Sequence, residues 1–301
     1  MFKIIPFDLS YKEQVLNLLS NVFSTVSANN HFSEEYFDWK HLNSPLGKSL
    51  MYIAVDSNNK VLAFRAFVRW EFIYLGEIKS YLRPVDSAVC PTARGRGLFK
   101  SLTLHVINSP VASAFDGIFN TPNENSLPIY LHLGWKKISN LTFSILPLYP
   151  IPTFSNNLKK ISYDKLSKFT KSINKCGTNT DLTYLKWRYV DCPTFDYLYF
   201  EVSDNCIVIY RINKRYFLTE AIICDVLFKN DVEPVTFNAF DISTKVSANY
   251  LLLTKDLRDM ITFKLSYPLN FNKPYFNLVE YSKSGSFVGN LHFLPKDLEL
   301  F

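Results

Sequence analysis

Glycine is scarce in this chain, with 9 residues in 301, and none stands between Leu182 and Ser284. A turn that cradles phosphate needs backbone at positive φ and close ligand approach, so that long stretch cannot easily build one. Cysteine is sparse and scattered: Cys90, Cys176, Cys192, Cys206 and Cys224 are odd in number and lack C-x-x-C spacing. This argues against a structural zinc site or a disulfide framework, so reduced thiols, a cytoplasmic setting and no metal are expected. No apolar run approaches the roughly 20 residues of a membrane span. The opening Met1-Phe2-Lys3-Ile4-Ile5-Pro6 has no signal-peptide pattern. A net charge of +6 without basic runs interleaved with aromatics marks no nucleic-acid groove. What is present is 48% hydrophobic and 20% charged residues, over a length that permits two separate cores.

The few glycines are placed informatively. Pro84 to Cys90 reads as a strand, Lys100 to Ile107 has the apolar spacing of a helix, and between them stands Arg94-Gly95-Arg96-Gly97-Leu98-Phe99. Gly95 and Gly97 allow positive φ. The amides that open the helix have no intrahelical partner, and the helix dipole makes them suitable for a pyrophosphate. Arg94 and Arg96 add charge at the rim. The segment lacks the Lys-Ser/Thr ending of a P-loop and the G-x-G-x-x-G spacing of dinucleotide folds. Farther on, Ala114 to Asn120 reads as a strand, Asn123 precedes a helix, Tyr130 lies about two turns along it, and Gly134-Trp135 follow.

These two segments resemble the GNAT acetyltransferase superfamily. Its acetyl-CoA loop, Arg/Gln-x-x-Gly-x-Gly/Ala, is similar to Arg94, Gly97 and Phe99, although Phe99 replaces the small residue expected last. Its next motif is similar to Asn123, Tyr130, Gly134 and Trp135. The resemblance implies that Arg94, Gly95, Arg96, Gly97, Leu98 and Phe99 hold the pyrophosphate of acetyl-CoA. It further implies that amides around Ser87, Ala88 and Val89 hold the pantetheine, that Asn123 holds the cofactor arm, and that Tyr130 protonates the departing sulfur. Asp86, the nearest carboxylate by sequence, is a candidate base for the acceptor amine; pairing with Arg83 or Arg94 is the alternative reading. Glu35, Asp38 and His41 share a helical face that reads mainly as solvated, and His105 and His132 read as rim or core histidines.

The order of elements also matches that superfamily. Phe2 to Phe7 alternates as an edge strand, Ser10-x-x-Glu13 reads as a capping box for a helix to Phe23, and a second helix follows Ser33. Strands Leu50–Val55, Val61–Phe72 and Glu77–Leu82 then precede the signature strand, and Leu141–Leu148 closes the unit at a linker, Pro147 to Pro152. Beyond it the chain repeats at an offset of 148 residues: Tyr36-Phe37-Asp38-Trp39 through Pro45 aligns with Tyr184-Leu185-Lys186-Trp187 through Pro193. Strands are predicted at Leu198–Val202, Cys206–Ile212, Tyr216–Phe228, Tyr250–Thr254, Tyr275–Tyr281 and Phe287–Phe293.

The expectation is an α/β (α+β) chain of two tandem GNAT-like domains, 1–148 and 153–301, each a mixed, mostly antiparallel sheet flanked by helices. The first would be catalytic and the second degenerate. The activity implied is transfer of acetyl from acetyl-CoA to an amine of a small metabolite, such as an amino-sugar nucleotide, by direct attack rather than through Cys90. No nucleic-acid partner and no membrane span are expected. A non-enzymatic acyl-CoA sensor and an aminoacyl-tRNA-dependent peptidyl transferase are the alternatives. The sequence leaves the oligomeric state open.

Overall fold

The computed structural model describes residues 2–23, 32–149, 158–270, 276–282 and 288–298. The first half runs β1 (Lys3–Pro6), α1 (Lys12–Phe23), α2 (Glu34–Phe37) continued by a π-turn (Asp38–Leu42), β2 (Leu50–Val55), β3 (Val61–Tyr74) and β4 (Glu77–Val89). It continues through α3 (Leu98–Ile107), β5 (Gly117–Asn120), α4 (Leu127–His132), β6 (Lys136–Leu141) and β7 (Phe143–Pro147). The second half opens with β8 (Lys159–Lys160), α5 (Tyr163–Leu166), β9 (Lys171–Ser172), β10 (Gly177–Thr178) and α6 (Leu182–Tyr189). Then follow β11 (Leu198–Ser203), β12 (Cys206–Arg215), β13 (Leu218–Phe228), β14 (Val235–Asn238), α7 (Ala239–Lys245), β15 (Tyr250–Thr254) and α8 (Lys255–Asp259). Strands β16 (Ile261–Lys264), β17 (Leu269–Asn270) and β18 (Phe276–Tyr281) complete it.

Two eight-stranded, mostly antiparallel sheets flanked by helices hold all of these strands except β14 and β16, which pair with each other in parallel. One is ordered β1-β2-β3-β4-β5-β18-β6 with β10 added on β3. The other is ordered β17-β7-β15-β13-β12-β11-β8 with β9 added on β13. The sheets exchange strands across the 148/153 boundary. From the second half, β18 inserts between β5 and β6, pairing Val279 with Asn120 on one side and Phe276 with Leu141 on the other. In return β7 pairs with β15, setting Leu251 opposite Leu146. Thr142 separates β6 from β7 because the two strands belong to different sheets, so the predicted strand Leu141–Leu148 is broken there. The linker expected at Pro147 to Pro152 lies in part at residues 150–152, outside the described residues.

Each half presents a β-meander to its own pair of helices, and one apolar cluster spans both halves, from Val15 and Trp39 to Trp187, Ile207 and Leu298. At its centre the repeat noticed in the sequence is an interaction. Trp39 and Trp187 stack with centroids 4.6 Å apart at 13°, and each indole N–H donates to the other's main-chain carbonyl, at 2.8 and 2.9 Å. Buried stacking and two satisfied donors each contribute on the order of 1 kcal/mol.

Two local expectations are corrected. Asp8, not a Ser10-Glu13 box, caps the first helix: its carboxylate accepts from the Ser10 amide, and a 3₁₀ turn, Leu9–Tyr11, leads into α1. Phe293 and its predecessors form no strand among the described residues; a 3₁₀ turn, Val288–Asn290, is followed by an irregular stretch. There Asp297 accepts from Thr178 at 2.7 Å, and Arg83 donates to the Asp297 carbonyl. This buried tail seals the seam between the sheets.

Strand exchange makes each sheet depend on the other half. A fragment of residues 1–148 lacks β18, so β5 and β6 lose their shared partner and leave unpaired edges. We expect it to show no cooperative thermal transition by circular dichroism; a fragment melting as sharply as the full chain would contradict that dependence.

Candidate functional site

The turn 94–99 is built as its composition requires. Gly95 and Gly97 adopt φ of +77° and +73°, and a Cβ on either would meet no atom within 4 Å, so both are needed for backbone conformation at an open surface. Arg94, Gly95, Arg96 and Gly97 are exposed, while Leu98 is buried and anchors α3. Gly97 is the N-cap of α3 and offers no side chain to its amides. Elsewhere the caps Ser33, Asp181 and Asn238 fill that position with their own oxygen atoms. An uncapped, ten-residue helix flanked by two arginines is a place where an anion can dock. Between Leu182 and Ser284 the second half has no glycine with which to build a counterpart, and there the side chain of Asn238 occupies the amide of Phe240 at the start of α7.

Beside this turn β4 and β5 diverge. The two parallel strands pair only at Tyr81–Gly117 and Leu82–Ile118, so the main chain from Arg83 to Val89 has no β5 partner. Within that stretch β4 is bulged: Phe64 faces Ala88 and Ala66 faces Val85, so Asp86 and Ser87 together oppose the single residue Arg65. Asp86 takes φ of +47° to make the bulge. The consequence is that Asp86 and Ser87 serve different surroundings.

Ser87 faces the turn. Its Oγ accepts from Arg65 Nη1 at 2.7 Å, and Arg65 Nη2 donates to the Tyr130 hydroxyl at 2.8 Å. Tyr130 is buried, packed edge-on against Phe99 at 5.9 Å and Trp135 at 4.8 Å. Phe99, the departure from the expected small residue, lays its ring 4.2 Å from the Arg65 guanidinium. Ser87, Phe99 and Tyr130, predicted from separate segments, therefore meet around an arginine that sequence reasoning missed. Its signal was available only as a charge in the run Val61-Leu62-Ala63-Phe64-Arg65-Ala66-Phe67-Val68, where an isolated cation in a buried strand is unusual. Val89 is partly exposed and Ala88 is buried within the sheet. Asn123 is exposed, and its Oδ1 accepts from the Ser126 amide and hydroxyl, both at 2.9 Å, so this oxygen caps the approach to α4.

Asp86 faces α2 instead. Its oxygens receive Lys40 Nζ at 2.8 and 2.9 Å and His41 Nε2 at 2.9 Å, and His41 Nδ1 lies 3.0 Å from Ser49 Oγ. His41 is buried rather than on a solvated face; the π-turn inserts a residue into the helical repeat and brings Lys40 and His41 inward together. Glu35 stays exposed and Asp38 pairs with Lys12 at 2.7 Å, as a surface face would. Burial works to raise the Asp86 carboxyl, but the Lys40 charge and the bonds from His41 and Lys40 outweigh it and hold the group well below the usual carboxylate range. Burial lowers His41, with Asp86 only partly offsetting it, so the imidazole is neutral near pH 7. His105 lies at the rim against Tyr52, and His132 is exposed. A cavity of about 410 Å³ opens on the second sheet, lined by Phe143, Arg211, Glu220, Tyr250 and Phe276 among others, and none of the predicted residues borders it.

By sequence the chain matches no family model and no curated protein. By structure it is similar along its length to several solved proteins. A conserved protein of unknown function from Enterococcus faecalis superposes with a TM-score of 0.63 at 12% identity, over 94% of this chain and 72% of that one. A GCN5-related N-acetyltransferase from Anabaena variabilis gives 0.61 at 12% identity, over 93% and 72%. The Saccharomyces cerevisiae N-myristoyltransferase with bound myristoyl-CoA gives 0.57 at 12% identity, over 93% and 82%. The fold is therefore the GNAT fold, present twice in tandem.

The Lys40–Asp86–His41 cluster dictates acid sensitivity. His41 is lowered on folding, so its contribution is complete above about pH 6.5; below that the unfolded chain gains a proton the fold refuses, and stability falls by up to about 1.4 kcal/mol per pH unit. The depressed Asp86 acts in the same direction lower down: its contribution is complete above about pH 3.9 and is lost as pH falls toward the folded value. Urea midpoints of His41→Gln should therefore fall less than wild type between about pH 6.5 and 5. Asp86→Asn should lose about 3–5 kcal/mol at pH 7 by stranding Lys40. Parallel pH profiles for His41→Gln and wild type would refute the assignment.

Proposed function

We propose that this protein transfers an acyl group from acyl-CoA to an amine, with the first half binding the donor. The observation that carries the reading is the side-chain-free cap of α3, whose Phe99 touches the same arginine as Tyr130. The residues fit the donor: the turn 94–99 offers amides and two guanidinium groups to a diphosphate, and the unpaired β4 main chain near Ser87, Ala88 and Val89 can hydrogen-bond an amide-bearing arm. Such an arm would extend from the turn toward Tyr130. The yeast neighbour of the same fold holds myristoyl-CoA, which supports CoA as the carrier. Acetyl remains our first choice of acyl group and a small amine, such as an amino-sugar nucleotide, our first choice of acceptor.

In the reaction the amine nitrogen attacks the thioester carbon, the C–S bond breaks, and Tyr130 supplies the proton that sulfur needs. Main-chain amides of the diverging strand would stabilise the developing oxyanion. We assign Asp86 a structural part in place of the base role its sequence position suggested. Both its oxygens are engaged and its ion pair weakens it as a proton acceptor. It holds the bulge that turns Ser87 toward the turn, and the amine proton leaves through water. The second half, without a phosphate turn, would wall the acceptor side.

Calorimetry with CoA and thiol release from acetyl-CoA across an amine panel test this reading. Gly97→Asp puts a side chain and a negative charge on a residue at positive φ and should abolish CoA binding. Tyr130→Phe should keep CoA binding and lower kcat by about 10²–10⁴-fold. A wild type that binds CoA without turnover in the panel would favour a sensor, and one that ignores CoA would favour an aminoacyl-tRNA-dependent enzyme.

A further inference from the structure

Arg65 is placed where an arginine is hardest to keep. It is fully buried, its hydrogen bonds go to two neutral hydroxyls, its Nε has no acceptor, and among the described residues no carboxylate pairs with it. The rings of Phe99, Phe67 and Tyr130, at 4.2, 5.2 and 5.6 Å, give partial compensation. Other buried arginines are met by main-chain carbonyls: Arg83 by Asp297 and Arg188 by Lys296. Taking a guanidinium out of water without a counter-ion is costly, and an apolar side chain would fill the same space without that penalty. The charge is therefore suited to meeting a negative charge that exists only during turnover.

We propose that Arg65 is a positioning residue that holds Tyr130 and stabilises the phenolate formed when Tyr130 gives up its proton. The inference rests on the transferase reading above. A phenol oxygen can accept one bond while donating another. With Arg65 Nη2 occupying a lone pair, the O–H is left to point at the departing sulfur. The step balances: nitrogen bonds to the acyl carbon, the C–S electron pair goes to sulfur, sulfur takes the Tyr130 proton, the surplus amine proton passes to water, and Tyr130 regains a proton from water. During this sequence the negative charge on the Tyr130 oxygen lies 2.8 Å from a fixed cation in a buried site, where such preorganised charge is most effective. The second arm of the guanidinium is tied to Ser87 on the bulge, and its face is covered by Phe99 from the turn, so the cation that meets Tyr130 is fixed from both sides.

The test compares Arg65→Met, Arg65→Lys, Tyr130→Phe and the double variant Arg65→Met/Tyr130→Phe in steady-state thiol release, CoA calorimetry and thermal melts. Arg65→Met should lower kcat about 100-fold or more with little change in KM or CoA affinity, and its melting midpoint should equal or exceed the wild type's. Arg65→Lys, which keeps the charge, should recover a large part of the loss. The double variant should be no slower than Tyr130→Phe alone, since the two residues act as one unit. Full multiplicative loss in the double variant, a rise in KM with unchanged kcat, or a lowered midpoint for Arg65→Met would overturn the role of Arg65 while leaving the transferase standing. A wild type that releases no thiol would overturn the transferase and this inference together.

Discussion

The bulge in β4 is the constraint on which the site depends. Two residues must fit opposite one, and the strain of a positive φ at Asp86 is retained because Lys40 and His41 hold its carboxylate in place. By doing so they decide where everything downstream points. Ser87 turns toward the glycine turn, on a stretch of β4 that has already left β5 after two paired residues. Without that bulge the acid, the turn and the open strand would be separate features of one sheet.

A related device recurs in the second half without a glycine turn beside it. There β12 and β13 shift register between Ile209 and Tyr210, and the buried Asp225 beside that bulge is met by Lys296 at 2.6 Å and by Tyr189, the counterpart of His41 in the repeat. An acidic residue anchored from the helix survives as scaffold, whereas the glycine turn, the uncapped helix and the buried arginine opposite the bulge do not. The paired tryptophans and the reciprocal exchange of β7 and β18 join the two halves through one shared apolar cluster, while a further cluster lies around the second sheet alone.

Much of this was legible in the chain. The turn 94–99, the spacing from Asn123 to Tyr130 to Trp135, and the repeat around Trp39 and Trp187 rest on local pattern, and the order of elements follows the reading except that Glu77–Leu82 and Pro84–Cys90 form the single strand β4, Leu141–Leu148 is split, and no strand precedes Phe293 among the described residues. Two expectations failed for different reasons: Asp8 competed locally with Ser10 for the first cap, whereas Thr142 ended a strand because its two parts pair in different sheets. Asp86 and His41 were visible as residues but not as partners, because the π-turn that brings His41 inward leaves no mark in the spacing of apolar residues.

The sequence by itself determined the features set by neighbours along the chain: positive φ where only glycine tolerates it, a helix start with no side chain to cap it, and a stretch from Leu182 to Ser284 without a glycine to build a second such turn. Tertiary structure alone decided which strand fills the gap between β5 and β6, which carboxylate meets Lys40, and that Arg65 meets Tyr130 and, among the described residues, no acid. Conformational preference is a short-range property, whereas the partner of a buried charge or an open sheet edge is fixed by whichever segment packing brings across from it.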